Sequence, residues 1–345
     1  MLTLVRKTLA VIFILFLTAC AGKRANSLEA AEEINEAIEE AAPINYDMAP
    51  RYAMMPESPR RGDPVTIAVN VPAREALLFI TGVERPARAV FFQVPDPGLP
   101  NYYAAIITIP STAAAGQSII RINNDRGGLL FEIPFTIAPR EFRSETLQLT
   151  PSLSTLLTEP DPQKERESAR LWNILNAKGD TIYHTGQFVP PVTSLRRTSQ
   201  YGTRRVNVYP SGRSTTSIHE GVDYGIPTGT EVYACGRGKV ALATHRIITG
   251  GSVIIEHAPG FYSLYYHLSE IIAREGAIVE AGEIIALSGS TGFSTGPHLH
   301  WDIRINMENT DPDAFIARPI IDKNQLISKL FLVEQTKKYD LTGRR

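Results

Sequence analysis

Ser217-Ile218-His219-Glu220-Gly221-Val222-Asp223-Tyr224 is the stretch that decides how the C-terminal half of this chain reads. It belongs with Tyr265-Tyr266-His267-Leu268-Ser269 and with Gly296-Pro297-His298-Leu299-His300-Trp301-Asp302. Four of the seven histidines in the 345-residue sequence fall in these three segments. His219 and Asp223 are four residues apart, a spacing that would share a helix face, but Gly221 and Gly225 favour a loop entering a strand. His298 and His300 are two apart, so on a strand both point to one side. Pro297 suits a strand start, where a missing N–H is tolerated.

Histidine and carboxylate are ligand types that zinc favours, and a catalytic zinc site takes three of them and leaves one position to water. Each segment alone is a weak signal. Their combination, with His267 in a tyrosine-rich strand between the outer two, is the informative feature.

Outward from this cluster the chain remains β-rich. Residues 232–234, 239–244, 252–257, 262–267 and 283–287 read as short strands punctuated by Gly236, Gly238, Gly250, Gly251, Gly260, Gly276 and Gly282. Many short strands with little helix predict an antiparallel β core. Upstream, residues 60–139 give further short strands, such as Val65-Thr66-Ile67-Ala68-Val69, separated by turns including Pro95-Asp96-Pro97-Gly98 and Asn123-Asn124-Asp125-Arg126-Gly127-Gly128. That pattern predicts a small β-sandwich. Between the two lies a connector with a helix over 163–177, capped after Pro160-Asp161-Pro162 and carrying Leu171, Ile174 and Leu175 as one apolar stripe. A short helix over 324–332 and a charged tail close the chain.

Composition narrows the class. The formal net charge is -1, from 35 basic and 36 acidic side chains, so no global basic excess points to nucleic acid. Two cysteines give no disulfide framework. At the N-terminus, Arg6 and Lys7 precede an apolar run from Leu9 to Leu17, too short to span a bilayer as a helix. Leu17-Thr18-Ala19-Cys20 follows, and the whole reads as a secretory signal. Leu-Thr-Ala-Cys resembles the bacterial lipobox, which implies a lipidated Cys20 as the mature first residue. Residues 21–58 then read as a tether, and Cys235 as a buried small apolar residue.

The histidine segments resemble the lysostaphin/LytM-type zinc metallopeptidases, whose signature includes His-x-Gly-x-Asp, a central His-Leu-Ser and a late Gly-x-His-Leu-His. Here these are His219-Glu220-Gly221-Val222-Asp223, His267-Leu268-Ser269 and Gly296-Pro297-His298-Leu299-His300. The entry segment 198–205 and the glycine-marked stretch 288–296 are also similar, so the resemblance runs over about 189–315. It implies His219, Asp223 and His300 as zinc ligands and His267 and His298 as a non-ligand pair at the scissile bond. Which of that pair is the base stays open. It further implies a Zn2+-dependent endopeptidase acting on peptide cross-links of peptidoglycan. The alternatives are a non-catalytic, wall-binding or amidase-activating lipoprotein, or a wall-binding chain whose sandwich does the work. With the lipobox, the expected location is the cell envelope, and alanine after Cys20 favours an outer membrane facing the periplasm in a diderm source.

The expected layout is therefore mainly β: signal peptide 1–20, tether 21–58, β-sandwich-like domain 59–139, helical connector 140–186, antiparallel β LytM-type domain 187–318, and helix and tail 319–345. His245 and His257 match no position of the resemblance and are expected at the surface, with Glu220 exposed and His184 at the surface or in packing. Tyr265, Tyr266 and Trp301 are expected as core or groove walls. Arg204 and Arg205 are open to a substrate carboxylate or a structural ion pair. Whether a segment of the connector or the sandwich lies over the site is also open.

Overall fold

The computed structural model describes residues 49–331, apart from 82, 95–101 and 178. The signal segment, Cys20, the tether up to residue 48, the 95–98 turn and the tail from 332 lie outside the described residues. Among the described residues no helix is long and apolar enough to cross a membrane.

The chain is mainly β, as its alternating and glycine-punctuated sequence predicts. The N-terminal part is two four-stranded antiparallel sheets. One runs Tyr52–Met55, Pro64–Val69, Tyr102–Thr108, Phe92–Val94, and the other Ala87–Val90, Glu75–Ile80, Gly116–Asn123, Leu129–Ile137. Val65, Ile67, Val69, Leu78, Ile107, Ile120, Ile122 and Phe135 fill the space between them. Tyr52–Met55 falls within the stretch expected as tether. It pairs residue for residue with Thr66–Val69, so the sandwich takes in this edge strand.

The outer face of the first sheet is also covered. Ala53, Ala68, Tyr102, Ala104 and Ile106 share a core with Ile303, Ile305, Phe315, Ile320 and Leu326 of the C-terminal part. Burying a side chain such as Ile106 or Ile303 contributes about 1.5–3 kcal/mol. Polar ties reinforce the seam: Thr66 Oγ1 donates to the Ile320 carbonyl at 2.8 Å, and Arg140 pairs with Asp311 at 2.6 Å. The sandwich thus buttresses the C-terminal part from behind.

That part is organised on one large sheet, in the order Arg197–Ser199, Val222–Tyr224, Leu299–Ile305, Phe261–Leu268, Gly250–Ala258, Gly238–Arg246, Ile278–Val279. All its pairings are antiparallel. One face carries Val222, Tyr265, Trp301 and Ile303 into the core. The other presents Asp223, His300 and Tyr266 in one row, because Asp223 is registered with His300 and His300 with Tyr266.

The connector is not helical throughout. It begins with the strand Ser144–Gln148, which joins Arg204–Val208 in parallel within a three-stranded sheet completed by Ser214–Ile218. The helix Pro151–Thr158 follows, then Pro162–Asn176. The second of these starts where Asp161 accepts from the Gln163 N–H at 2.7 Å, with Pro162 in the first turn, where its missing N–H is no loss. Leu171 and Leu175 bury against Leu242, Ile254, Tyr262, Leu264 and Tyr266, which seats this helix on the sheet face that carries the histidines.

Candidate metal centre

His219 lies in the loop after Ser214–Ile218, and its N–H donates to the Thr203 carbonyl at 2.9 Å. Its Nδ1 is 3.0 Å from the Gln200 carbonyl, which can only accept. The proton therefore sits on Nδ1, and Nε2 offers its lone pair to the cluster. Asp223 sits in the Val222–Tyr224 strand and His300 in Leu299–Ile305, so the sheet itself fixes their separation. His219 Nε2 is 3.0 Å from Asp223 Oδ1 and 3.0 Å from His300 Nδ1, and the last two are 2.9 Å apart. Among the described residues these three are the one group of His, Cys, Asp and Glu side chains close enough to hold a metal ion together.

The donor set fits zinc. Three lone-pair atoms from two imidazoles and one carboxylate converge on one point, where they repel unless a cation lies among them. Burial raises the Asp223 pKa, but the adjoining His219 and His300 rings outweigh it and hold the carboxyl well below its usual range. Burial also pushes the His219 imidazole down, against the pull of Asp223. The site thus favours an ionised carboxylate and a neutral His219, the forms a metal needs. Gly221 is required by this packing, since a Cβ there would stand 2.4 Å from the Trp301 carbonyl oxygen and 3.0 Å from His300 Cε1.

His267 and His298 face the same cavity, their rings 4.7 Å apart. His267 Nδ1 lies 2.8 Å from the Thr291 carbonyl and His298 Nδ1 lies 2.7 Å from the Gly296 carbonyl. Both carbonyls fix the proton on Nδ1 and leave Nε2 available to the cavity. Burial, then the neighbouring His298 and His300, push the His267 pKa down to about 3.

Strict alternation would put His267 on the core face with Phe261, Ser263 and Tyr265. The structure turns it to the other face. Gly251 is registered with Leu268 and Val253 with Tyr265, so Ser252 stands opposite two residues, Tyr266 and His267. This β-bulge, with His267 at φ 64°, moves the imidazole to the Tyr266 side. A left-handed backbone at a non-glycine residue is uncommon and is held here by the His267 N–H donating to the Thr249 carbonyl at 2.9 Å.

The other expected residues divide as follows. Tyr266 stacks on His300 at 5.6 Å with an interplanar angle of 6°, a groove wall, while Tyr265 and Trp301 are core. Glu220 is exposed and paired with Arg304. Arg204 donates to the Ser111 carbonyl and lies over Phe142, and Arg205 pairs with Asp223 and Glu145, so both arginines are engaged by groups of this chain. His245 is exposed and His184 is half-buried against Phe188. His257 is a correction: expected at the surface, it is fully buried, with Nδ1 at 2.9 Å from the Arg237 carbonyl and Nε2 at 2.7 Å from Ser263 Oγ. Cys235 is buried beside it.

The cluster opens into a cavity of about 550 Å³. Arg246, Thr249, Phe293 and Ser294 line one part, and Leu147, Lys164, Glu167, Ser168 and Leu171 of the connector form a wall. No described residue of the sandwich lines it. Glu167 is fixed by accepting from the Ile247 N–H at 2.8 Å. These connector wall residues lie outside the stretches of the sequence that resemble the family, so no motif marks them as part of a site.

Residues 217–312 match the sequence model of peptidase family M23, so this segment carries an M23 peptidase domain. Among its relatives is the DD-carboxypeptidase/endopeptidase Mpg of Neisseria meningitidis, 35% identical over 167 residues that cover 48% of this chain and 37% of Mpg. The peptidoglycan DD-endopeptidase ShyA of Vibrio cholerae is 35% identical over 125 residues, 36% of this chain and 28% of ShyA. The chain thus spans well under half the length of these relatives. A Pseudomonas aeruginosa structure assigned to peptidase M23 superposes with a TM-score of 0.55 at 23% identity, covering 75% of this chain and 94% of that one, which shows a shared fold.

Proposed function

We propose that this chain is a zinc-dependent endopeptidase that hydrolyses peptide cross-links of peptidoglycan. The observation that carries the reading is the convergence of His219 Nε2, Asp223 Oδ1 and His300 Nδ1 within 3.0 Å of one another, beside two imidazoles held through Nδ1, with His298 Nε2 only 3.8 Å from Asp223 Oδ1. His219, Asp223 and His300 would hold the metal. A zinc ion bound there supplies a Lewis acid that polarises a peptide carbonyl and brings the pKa of water near neutrality. One carboxylate and two neutral imidazoles leave such a site net positive.

His267 and His298 handle protons. Neutral Nε2 takes a proton from the attacking water, and a protonated Nε2 donates to the oxyanion developing at the scissile carbonyl. Their Nδ1–H bonds to Thr291 and Gly296 keep both rings aimed at the cavity. The Tyr266 ring and the connector wall confine the peptide. The names of Mpg and ShyA favour a DD cross-link as the bond cut. Lipidated Cys20 and the tether would hold the enzyme in the cell envelope, facing the periplasm.

The test is digestion of purified peptidoglycan by the zinc-loaded chain, with mass analysis of the released muropeptides. Cross-linked dimers should yield two monomers whose masses sum to the dimer plus one water. His300→Ala should lose zinc and turnover together. His298→Ala should keep zinc while turnover falls by about 10²–10⁴-fold. A fully active His300→Ala sinks the ligand assignment, equal zinc loss in both variants sinks the division of roles, and an inert wild type that still binds the wall supports the non-catalytic reading.

A further inference from the structure

Asp223 uses its two carboxylate oxygens differently. Oδ1 faces His219 and His300, while Oδ2 accepts from Arg205 Nη2 at 2.8 Å. Arg205 Nε in turn donates to Glu145 Oε1, which also accepts from Ser199 Oγ at 3.1 Å. Arg205 and Glu145 are registered side by side in the parallel pair formed by Arg204–Val208 and Ser144–Gln148. Both lie outside the family-matched residues 217–312, and Glu145 comes from the connector.

We propose that Arg205 and Glu145 are positioning residues for the metal-binding carboxylate: Arg205 holds Oδ2 so that Oδ1 alone turns to the cation, and Glu145 holds Arg205. This inference rests on the metal-site reading above. Three physical points carry it. A charge-assisted bond to one oxygen fixes the carboxylate plane in a way no neutral donor matches. Hydrogen bonds to a ligating carboxylate tune how tightly it grips a metal. The charges also balance. An arginine alone beside Asp223 would cancel the carboxylate and repel a divalent cation, and Glu145 restores the negative charge. The Arg205 side chain is only 20% exposed and that of Asp223 8%, so solvent screens these charges weakly.

The connector therefore reaches the metal ligand by a chain of two ion pairs. Leu147, on the same strand as Glu145, lines the cavity as well.

Zinc affinity of the whole chain, read by competition with a chelator, tests the inference without relying on turnover. Arg205→Lys keeps the charge but cannot bridge two carboxylates, and Glu145→Gln keeps the shape but removes the charge. Each should weaken zinc binding by about 10–100-fold. Because Glu145 acts through Arg205, the double variant should lose less than the product of the two single losses. If these residues serve only the parallel strand pairing, the metal-free protein will melt earlier while zinc affinity stays at the wild-type value, and that result overturns the inference. Should Arg205→Lys fail to fold, Glu145→Gln alone decides. A wild-type chain that takes up no zinc overturns the site reading and this inference together, whereas tight zinc binding by wild type and both variants overturns the inference alone.

Discussion

Replacing His257 with leucine should flatten the acid limb of the stability curve. The ring is fully buried, with Phe188 and Phe261 against it and His184 beside it. Its Nδ1–H donates to the Arg237 carbonyl, so Nε2 must accept, and Ser263 supplies the hydroxyl proton at 2.7 Å. Ser263 Oγ and the Tyr265 hydroxyl are 3.1 Å apart, and the Tyr265 oxygen accepts from the Cys235 N–H at 2.9 Å. One proton per hydroxyl then runs the chain from Cys235 through Tyr265 and Ser263 to a neutral His257. A second ring proton would break it and bury a charge with no carboxylate partner. Burial accordingly pushes the His257 pKa down to about 3. Below the ordinary histidine value of about 6.5 the unfolded chain binds a proton that the folded chain refuses, so stability falls as pH drops toward 3. The slope is at most about 1.4 kcal/mol per pH unit, or on the order of 2–3 kcal/mol between pH 6 and pH 4. His257→Leu removes this loss but orphans the Ser263 hydroxyl and the Arg237 carbonyl, which costs about 1–3 kcal/mol each at neutral pH. Urea melts at several pH values should therefore give a variant that is less stable at pH 7 yet less acid-sensitive. Curves that run parallel from pH 6 to pH 4 would refute the buried neutral imidazole.

Gly221→Ala should abolish zinc retention in a chelator assay, because its Cβ meets the Trp301 carbonyl at 2.4 Å and the Val222–Tyr224 strand must move off its partner. Wild-type zinc uptake would show that the strand can yield. Leu175→Ala should destabilise the chain by about 2–5 kcal/mol in a thermal or urea melt. It opens a hole between the connector helix and Leu242, Ile254, Tyr262 and Leu264. If that helix does not dock on the sheet in solution, the change will be under about 0.5 kcal/mol.

The sequence reveals what is local and repeated. Strands such as Gly250–Ala258 and Phe261–Leu268 lie within two residues of their alternation patterns, and the helix Pro162–Asn176 is marked by Asp161-Pro162 and its leucine stripe. The three histidine segments are legible because their spacings come from strand geometry. The face of His267 is not, since alternation counts one residue per pleat and the bulge opposite Ser252 adds one. The burial of His257 is not legible for a related reason. Its partners are a carbonyl 20 residues away and a serine six residues on, a pairing that exists only once two strands are in register. The Arg205–Glu145 pair is 60 residues apart in a parallel ladder, which no short motif encodes.

These long-range pairings bear on where the working unit begins. The family match starts at residue 217, yet His219 is oriented by the Gln200 carbonyl and tied to Thr203, and Asp223 is held by Arg205. Gly202 N–H also donates to the His219 carbonyl at 2.8 Å. A fragment cut at the match would keep every zinc-ligand candidate and lose each of these contacts. Farther upstream, Glu145 braces Arg205, and Leu147, Lys164 and Glu167 close one side of the cavity. The His219 tautomer and the Asp223 carboxylate orientation are thus set from upstream of the match, by Gln200 and Arg205. Because connector side chains line the cavity beside the histidines, exchanging Leu147, Lys164 or Glu167 should change which peptides the site accepts.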